Sequence, residues 1–180
     1  TALRLLEKFL RAGLEPEEAL ETVGEALALR GEEEGGFTTV DLLQVDLFSG
    51  KSAVYKLGAA PTYLRRAGVV ERLTGETLPA GAAAGEQAAP DAFPLSLDAG
   101  DCVVLVSDGV TTGKDDRWLR RLLSEFDGLS PQALAAQILK GEAKIQEMAI
   151  EYAPEFVKKY NLPMCEALNI DVNALEGYEP

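Results

Sequence analysis

The apolar residues of this chain change period twice, from three to four residues to two and back again, and that change limits the fold more than any other feature. In ALRLLEKFLRAG, Leu3, Leu6, Phe9 and Leu10 fall on one helical face, and Gly13 is placed to end the helix. Glu15-Pro16-Glu17-Glu18 opens a second helix, with proline and acids in the first turn, where the backbone dipole favours them. Ala19, Leu20, Val23, Ala26 and Leu27 continue its apolar face, and GEEEGG at 31–36 breaks it.

From residue 38 the period is two. A strand is expected over 38–46, with Val40, Leu42 and Gln44 on one face. A turn at 48–51 leads into a second strand over 52–58, so the pair reads as a hairpin. Further strands are expected over 62–66 and 69–73, joined at Ala67-Gly68, and over 93–97 after a loop at 74–92 rich in Gly, Ala and Pro. The run CVVLVS at 102–107 is continuously apolar, as in a strand buried on both faces. Helical patterning then returns. Asp115 or Asp116 can cap a helix through Phe126, and Ser130-Pro131 can start another reaching about Lys140. Beyond 141 the chain is charged and amphipathic, with Ile145, Met148, Ala149 and Tyr152 sharing a face and prolines at 154, 163 and 180. Helices, then mostly antiparallel strands, then helices make an α+β chain. The expected organisation is a domain over 1–140 and a helical tail over 141–180.

Composition narrows the chemistry. The 180 residues carry a net charge of −13 and no histidine. Phosphate backbones are held by clustered Lys and Arg, so nucleic acid is not an expected partner. Without histidine there is no Ser-His-Asp or Cys-His centre and no imidazole metal site. Base chemistry is left to carboxylates, Lys, Tyr or metal-bound water. The two cysteines, Cys102 and Cys165, do not make a disulfide framework and suit a reducing cytoplasm. No apolar run reaches the roughly 18 residues of a membrane span, and no leader pattern is present.

The most informative segment is Gly100-Asp101 followed by the apolar strand and Ser107-Asp108-Gly109. A carboxylate delivered at a strand end can bind a hard cation, and Gly109 permits a tight turn there; the same residues equally close a β-to-α connection. Asp41 and Asp46 lie five residues apart on one strand, so they point to opposite faces and do not chelate one ion. Asp41 is expected at an exposed or cleft-edge position and Asp46 at the start of the turn. Asp115 and Asp116 either begin a helix or add carboxylates near a metal. Arg65-Arg66 either holds a phosphate or marks an exposed edge strand. Gly58-Ala59-Ala60-Pro61 is a bend of small residues and not a phosphate-cradling loop, since no Gly-Lys-Ser follows.

Several stretches in this order resemble the metal-dependent protein phosphatase (PPM) family, in its bacterial stage II sporulation E branch. They are LRLLEKFLRAGLEPEEALETVGEALALR, FTTVDLLQVDLFSGKSAVYKLGAAPTYLRR, LPAG and LSLDAGDCVVLVSDGV. They match two leading helices, a T-x-D-L strand, a hairpin ending in K-x-G-A-x-P-[ST], an L-P-x-G loop, and a G-D strand closing on [ST]-D-G, over about residues 2–140. The resemblance implies a β-sandwich flanked by helices that hydrolyses phosphoserine or phosphothreonine on a protein. It also implies two manganese or magnesium ions between the sheets that activate a bridging water. Asp108 matches the family's metal-binding aspartate and Gly109 its companion, with Asp41, Asp115 and Asp116 as further candidates for the metal or cleft. The expected partner is a phosphorylated regulatory protein, with a second copy of the chain as another. Two elements of the pattern are missing: an Asp-Gly-x-Gly before the first long helix, and a late Asp-Asp after Lys140. The alternative is therefore a silent domain, or fragment, that keeps the fold for protein binding.

Overall fold

In the computed structural model, which describes residues 2–29, 37–82, 88–127 and 130–142, the helices and strands fall into two compact units. Thr1–Asp116 with Leu123–Glu125 form the first, and Arg117–Leu122 with Phe126–Pro180 the second.

The first unit opens with α1 (Ala2–Arg11) and α2 (Pro16–Ala28). Gly13, at φ +90°, ends α1. The Leu14 amide donates to Phe9 O at 3.1 Å and the Gly13 amide to Leu10 O at 3.1 Å, which satisfies two of the last carbonyls of the helix. Leu6 is buried, and Ala2, Leu5, Phe9 and Leu10 pack beside it. Leu3 departs from the expected face and is 77% exposed. The buried stripe is carried by positions 2, 5, 6, 9 and 10, and Leu3 lies off it. In α2, Pro16, Ala19, Leu20, Val23 and Gly24 are buried.

Two three-stranded antiparallel sheets follow. The first has the order β1 (Val40–Val45), β2 (Lys51–Leu57), β5 (Asp91–Ser96). The second has the order β4 (Val69–Leu73), β3 (Thr62–Arg66), β6 (Cys102–Leu105). The β1–β2 register places Leu42 opposite Tyr55 and Asp41 opposite Lys56. Alternation then sends Val40, Leu42, Ala53, Tyr55 and Leu57 to the face covered by α1 and α2, and Asp41, Val54 and Lys56 to the other face. Pro94 is tolerated inside β5 because that strand is an edge and pairs with β2 alone. Ala67 (φ 48°) and Gly68 (φ 81°) form the two-residue turn joining β3 to β4, both in the left-handed region that such a hairpin requires.

Two expectations change here. β3 is the central strand of its sheet, so Arg65 and Arg66 do not mark an edge. The apolar run at 102–107 forms a strand only to Leu105, at an edge; Val104 is buried, while Leu105 is 39% exposed. Apolarity does not tell a central strand from an edge that is covered on one face.

Helix α3 (Arg117–Glu125) buries Leu119 and Leu123. In the second unit, residues 131–142 are helical. Ser130 begins that helix, its hydroxyl accepting from the Ala133 amide at 3.4 Å and its carbonyl from the Leu134 amide at 3.2 Å. Gly141 lies so close to Trp118 that a Cβ there would come within 2.5 Å of the indole ring. The expected break at 31–36 and the amphipathic face after 143 lie outside the described residues. No helix among the described residues is long and apolar enough to cross a membrane.

Candidate functional site

The face of the first sheet turned away from the helices carries a buried charge cluster. Lys56 is fully buried, and its Nζ lies 2.8 Å from Asp41 Oδ2. The same ammonium donates to Thr62 Oγ1 at 2.9 Å, and the Thr62 hydroxyl donates to Asp41 Oδ2 at 2.7 Å. Asp41 and Lys56 belong to the first sheet and Thr62 to the second, so the cluster joins them. Asp41 Oδ1 is buried without a hydrogen-bond partner among the described residues. Of the two positions expected for Asp41, exposed or at a cleft edge, the first does not hold: its side chain is 14% exposed and ion-paired. A divalent ion beside it would face the Lys56 ammonium at close range in a low-dielectric setting, which opposes binding. The register carried a signal for this pairing. A hairpin turning at 46–51 sets 41 opposite 56, and opposite charges on directly opposed residues attract.

Gly58 begins the bend that leads from Lys56 to Thr62. It sits at φ +58°, and a Cβ there would lie 2.6 Å from Pro79 N and Cγ. The Leu78-Pro79-Ala80-Gly81 loop is thus seated on this bend. Thr38 and Ala80 exchange backbone hydrogen bonds of 2.9 and 2.8 Å, and the Thr77 hydroxyl donates to Lys56 O at 2.9 Å. Asp91 Oδ2 accepts the Glu76 amide at 2.6 Å and the Thr77 amide at 3.1 Å, holding the loop from the far strand.

Asp108 lies three residues beyond β6 and opens a 3-10 helix, Asp108–Lys114. It is exposed, accepts the Gly109 amide on Oδ1 at 3.0 Å, and has no ion pair among the described residues. Asp115 is exposed and ends the 3-10 helix. Asp116 is buried and differently committed. The Tyr63 hydroxyl donates to its Oδ2 at 2.8 Å, and Arg72 Nε lies 2.8 Å from the same oxygen. Burial, with the hydrogen bond to Asp116, pushes the Tyr63 hydroxyl up to about 12. No sequence spacing announces this contact, since Tyr63 and Asp116 are 53 positions apart.

Arg66 and Asp101 form the remaining ion pair of note. Arg66 Nη2 lies 2.6 Å from Asp101 Oδ2, Nε donates to both carboxylate oxygens at 3.1 Å, and Nη2 also donates to Ser96 O. Hydrogen bonds from Arg66 and then from the Asp98 amide hold the Asp101 carboxyl below its ordinary range. Asp46 does start the turn. Its carboxyl is lowered first by the Phe48 amide, then by the Ser49 hydroxyl and amide.

These positions do not converge on a two-metal site. Among the described residues no group of three or more Asp, Glu, Cys or His side chains is placed to hold an ion. Asp41 is paired with Lys56 and Asp116 with Arg72, whereas Asp108 is exposed and has no ion pair among the described residues.

Comparison with known proteins bears on the same stretch. The sequence model of the stage II sporulation protein E (SpoIIE) family matches residues 1–151. Stage II sporulation protein E of Priestia megaterium is 29% identical over 143 residues, 77% of this chain and 24% of that protein. The Bacillus subtilis protein is 27% identical over 154 residues, 83% of this chain and 18% of that one. This chain therefore spans under a quarter of the length of these relatives. Among solved structures, the PP2C phosphatase domain of B. subtilis SpoIIE with a fragment of its regulatory domain is 26% identical, with a TM-score of 0.69. That match covers 79% of this chain and 44% of the other. The matched residues, the two antiparallel sheets and the leading helices agree, and the chain belongs to the stage II sporulation protein E family, with the β-sandwich fold of its PPM-type phosphatase domain.

Proposed function

We propose that this chain belongs to a phosphatase domain that hydrolyses phosphoserine or phosphothreonine on a regulatory protein. The observation that carries the reading is the family match over residues 1–151. In such a domain manganese or magnesium supplies the activated water. Among the described residues no group of three or more Asp, Glu, Cys or His is placed to hold an ion, so the reading takes a single ligand from them. Asp108 is that ligand, with Gly109 allowing the turn that presents it. Asp41 and Asp116, neutralised by Lys56 and Arg72, serve the scaffold. That same neutralisation favours a second reading, a phosphatase fold retained for protein binding.

Calorimetric manganese titration beside a phosphopeptide assay separates the two. The 180-residue chain is expected to bind manganese weakly and turn over poorly, because one carboxylate seldom holds a hard divalent ion. A version extended at its N-terminus by an Asp-Gly-x-Gly segment is expected to gain turnover, and Asp108→Asn to remove it by about 100-fold or more. Tight binding of two ions by the 180-residue chain, indifferent to Asp108→Asn, would overturn the assignment. No gain in the extended version would leave the binding module standing.

A further inference from the structure

The carboxylate proposed above as a metal ligand opens a short 3-10 helix, and the chain on either side of that helix meets one strand. β6 leaves its sheet at Leu105, whose pairing partner on β3 is Thr62. The chain returns to the same strand at Asp116, held by the hydroxyl of Tyr63, the next residue of β3. Residues 106–115 are thus closed between two adjacent positions of one central strand. Arg72 stands directly opposite Tyr63 in the β3–β4 register and completes the anchor from the neighbouring strand.

We propose that Tyr63, Arg72 and Asp116 form a clamp that holds the Asp108 segment in place, which makes Asp116 a positioning residue for Asp108 and not a ligand itself. The proposal rests on the reading of Asp108 as a metal ligand.

Three observations support it. Asp116 is buried, and a buried carboxylate without partners is costly; here one oxygen takes both the phenol and the guanidinium at 2.8 Å. The segment between the anchors is a short 3-10 helix, whose hydrogen bonds are too poor to fix its conformation alone. Among the described residues the Asp108 carboxylate accepts one hydrogen bond, from the amide of its own neighbour, and the Thr111 hydroxyl reaches only the Asp108 backbone carbonyl, so the direction of the carboxylate follows from where the backbone is held. Pinning both ends of a loop removes the closure freedom that would otherwise spread the carboxylate over many positions.

The test uses the 180-residue chain labelled with nitrogen-15. Amide hydrogen exchange is followed at 108–114 and in β1 and β2, and manganese chloride is then added in small steps to read paramagnetic broadening. In Asp116→Ala, exchange at 108–114 is expected to rise at least about tenfold, while β1 and β2 change less than about twofold. Asp116→Asn, which keeps an oxygen for the Tyr63 hydroxyl, is expected to fall between. Broadening in the unaltered chain is expected to centre on Asp108 and Gly109, and in Asp116→Ala to need about tenfold more manganese. Should Asp116→Ala not fold, Tyr63→Phe deletes a single hydrogen bond and reports the same local rise at smaller amplitude. Unchanged exchange at 108–114, or an equal rise in every strand, overturns the clamp. Broadening absent from 108–109 in the unaltered chain overturns Asp108 as a ligand, while the exchange data still decide the clamp.

Discussion

At the scale of single residues, three of the side chains that resemble family motifs turn out to be one object. Asp41 of the T-x-D-L strand, and Lys56 and Thr62 of K-x-G-A-x-P-[ST], meet in a buried cluster between the sheets. A buried ion pair adds little over apolar residues of the same volume, but removing one partner strands the other. Lys56→Met alone is therefore expected to cost about 3–5 kcal/mol in urea unfolding, and Asp41→Asn with Lys56→Met distinctly less than the sum of the single changes. Additive costs would show that the two charges are not coupled. The acid limb of stability has a separate origin. Asp46 and Asp101 are both held below the ordinary value of 3.8. Their contribution is complete above that value and is lost as pH falls through the lower folded-state values. Loosening of the 46–51 turn and of the Arg66–Asp101 pair is expected below about pH 3.8, and Asp101→Asn should flatten that part of an acid titration.

At the scale of elements, the decisive residues are those whose backbone or face has no alternative. Gly58 and Gly13 are both in the left-handed region, but Gly13 has open space around its Cβ direction, whereas Gly58 abuts Pro79. Gly13→Ala should cost only the left-handed conformation, about 1 kcal/mol. Gly58→Ala should cost about 3 kcal/mol or more, because the L-P-x-G loop has to move as well. Equal costs would mean that the loop is not seated on the bend. The helix faces allow a parallel comparison. Leu20→Ala, at a fully buried position of α2, is expected to lower stability by about 2–5 kcal/mol, and Leu3→Ala in α1 to change it by less than about 0.5 kcal/mol. Thermal unfolding of the two variants side by side checks the assignment of the buried stripe.

At the scale of the whole molecule, the net charge of −13 acts against compactness. Surface ion pairs such as Arg11–Glu7, an exposed pair one turn apart, return little. Screening of the general repulsion should therefore outweigh the loss of such pairs. Raising ionic strength from about 0.01 to 0.15 M is expected to raise the melting temperature by about 2–4 °C, a gain on the order of 1 kcal/mol. A fall in melting temperature would show that specific ion pairs dominate.

The sequence by itself determined the local part of this fold. Periodicity placed α1, α2 and the strands, because the burial of alternate or every third to fourth residue is a property of each segment alone. Gly13, the Asp46 turn and Ala67-Gly68 were legible for the same reason: each settles a conformation within a few bonds. The motif order was enough to place the chain among sporulation-type phosphatases, whereas Asp108, expected at the end of a strand running to 107, lies three residues past β6 at the start of a 3-10 helix. Long-range contacts were decided by tertiary structure. The hairpin register sets Lys56 opposite Asp41, but nothing local says that Asp41 also meets Thr62, or that Asp116 meets Tyr63 and Arg72, since those partners arrive from strands that only the sheet order brings near. Nor does an apolar run say whether its strand is central or an edge, as β6 shows. A carboxylate reads the same in sequence whether it faces solvent, a metal or an ammonium group. The charge placed beside it on folding decides which of these it becomes.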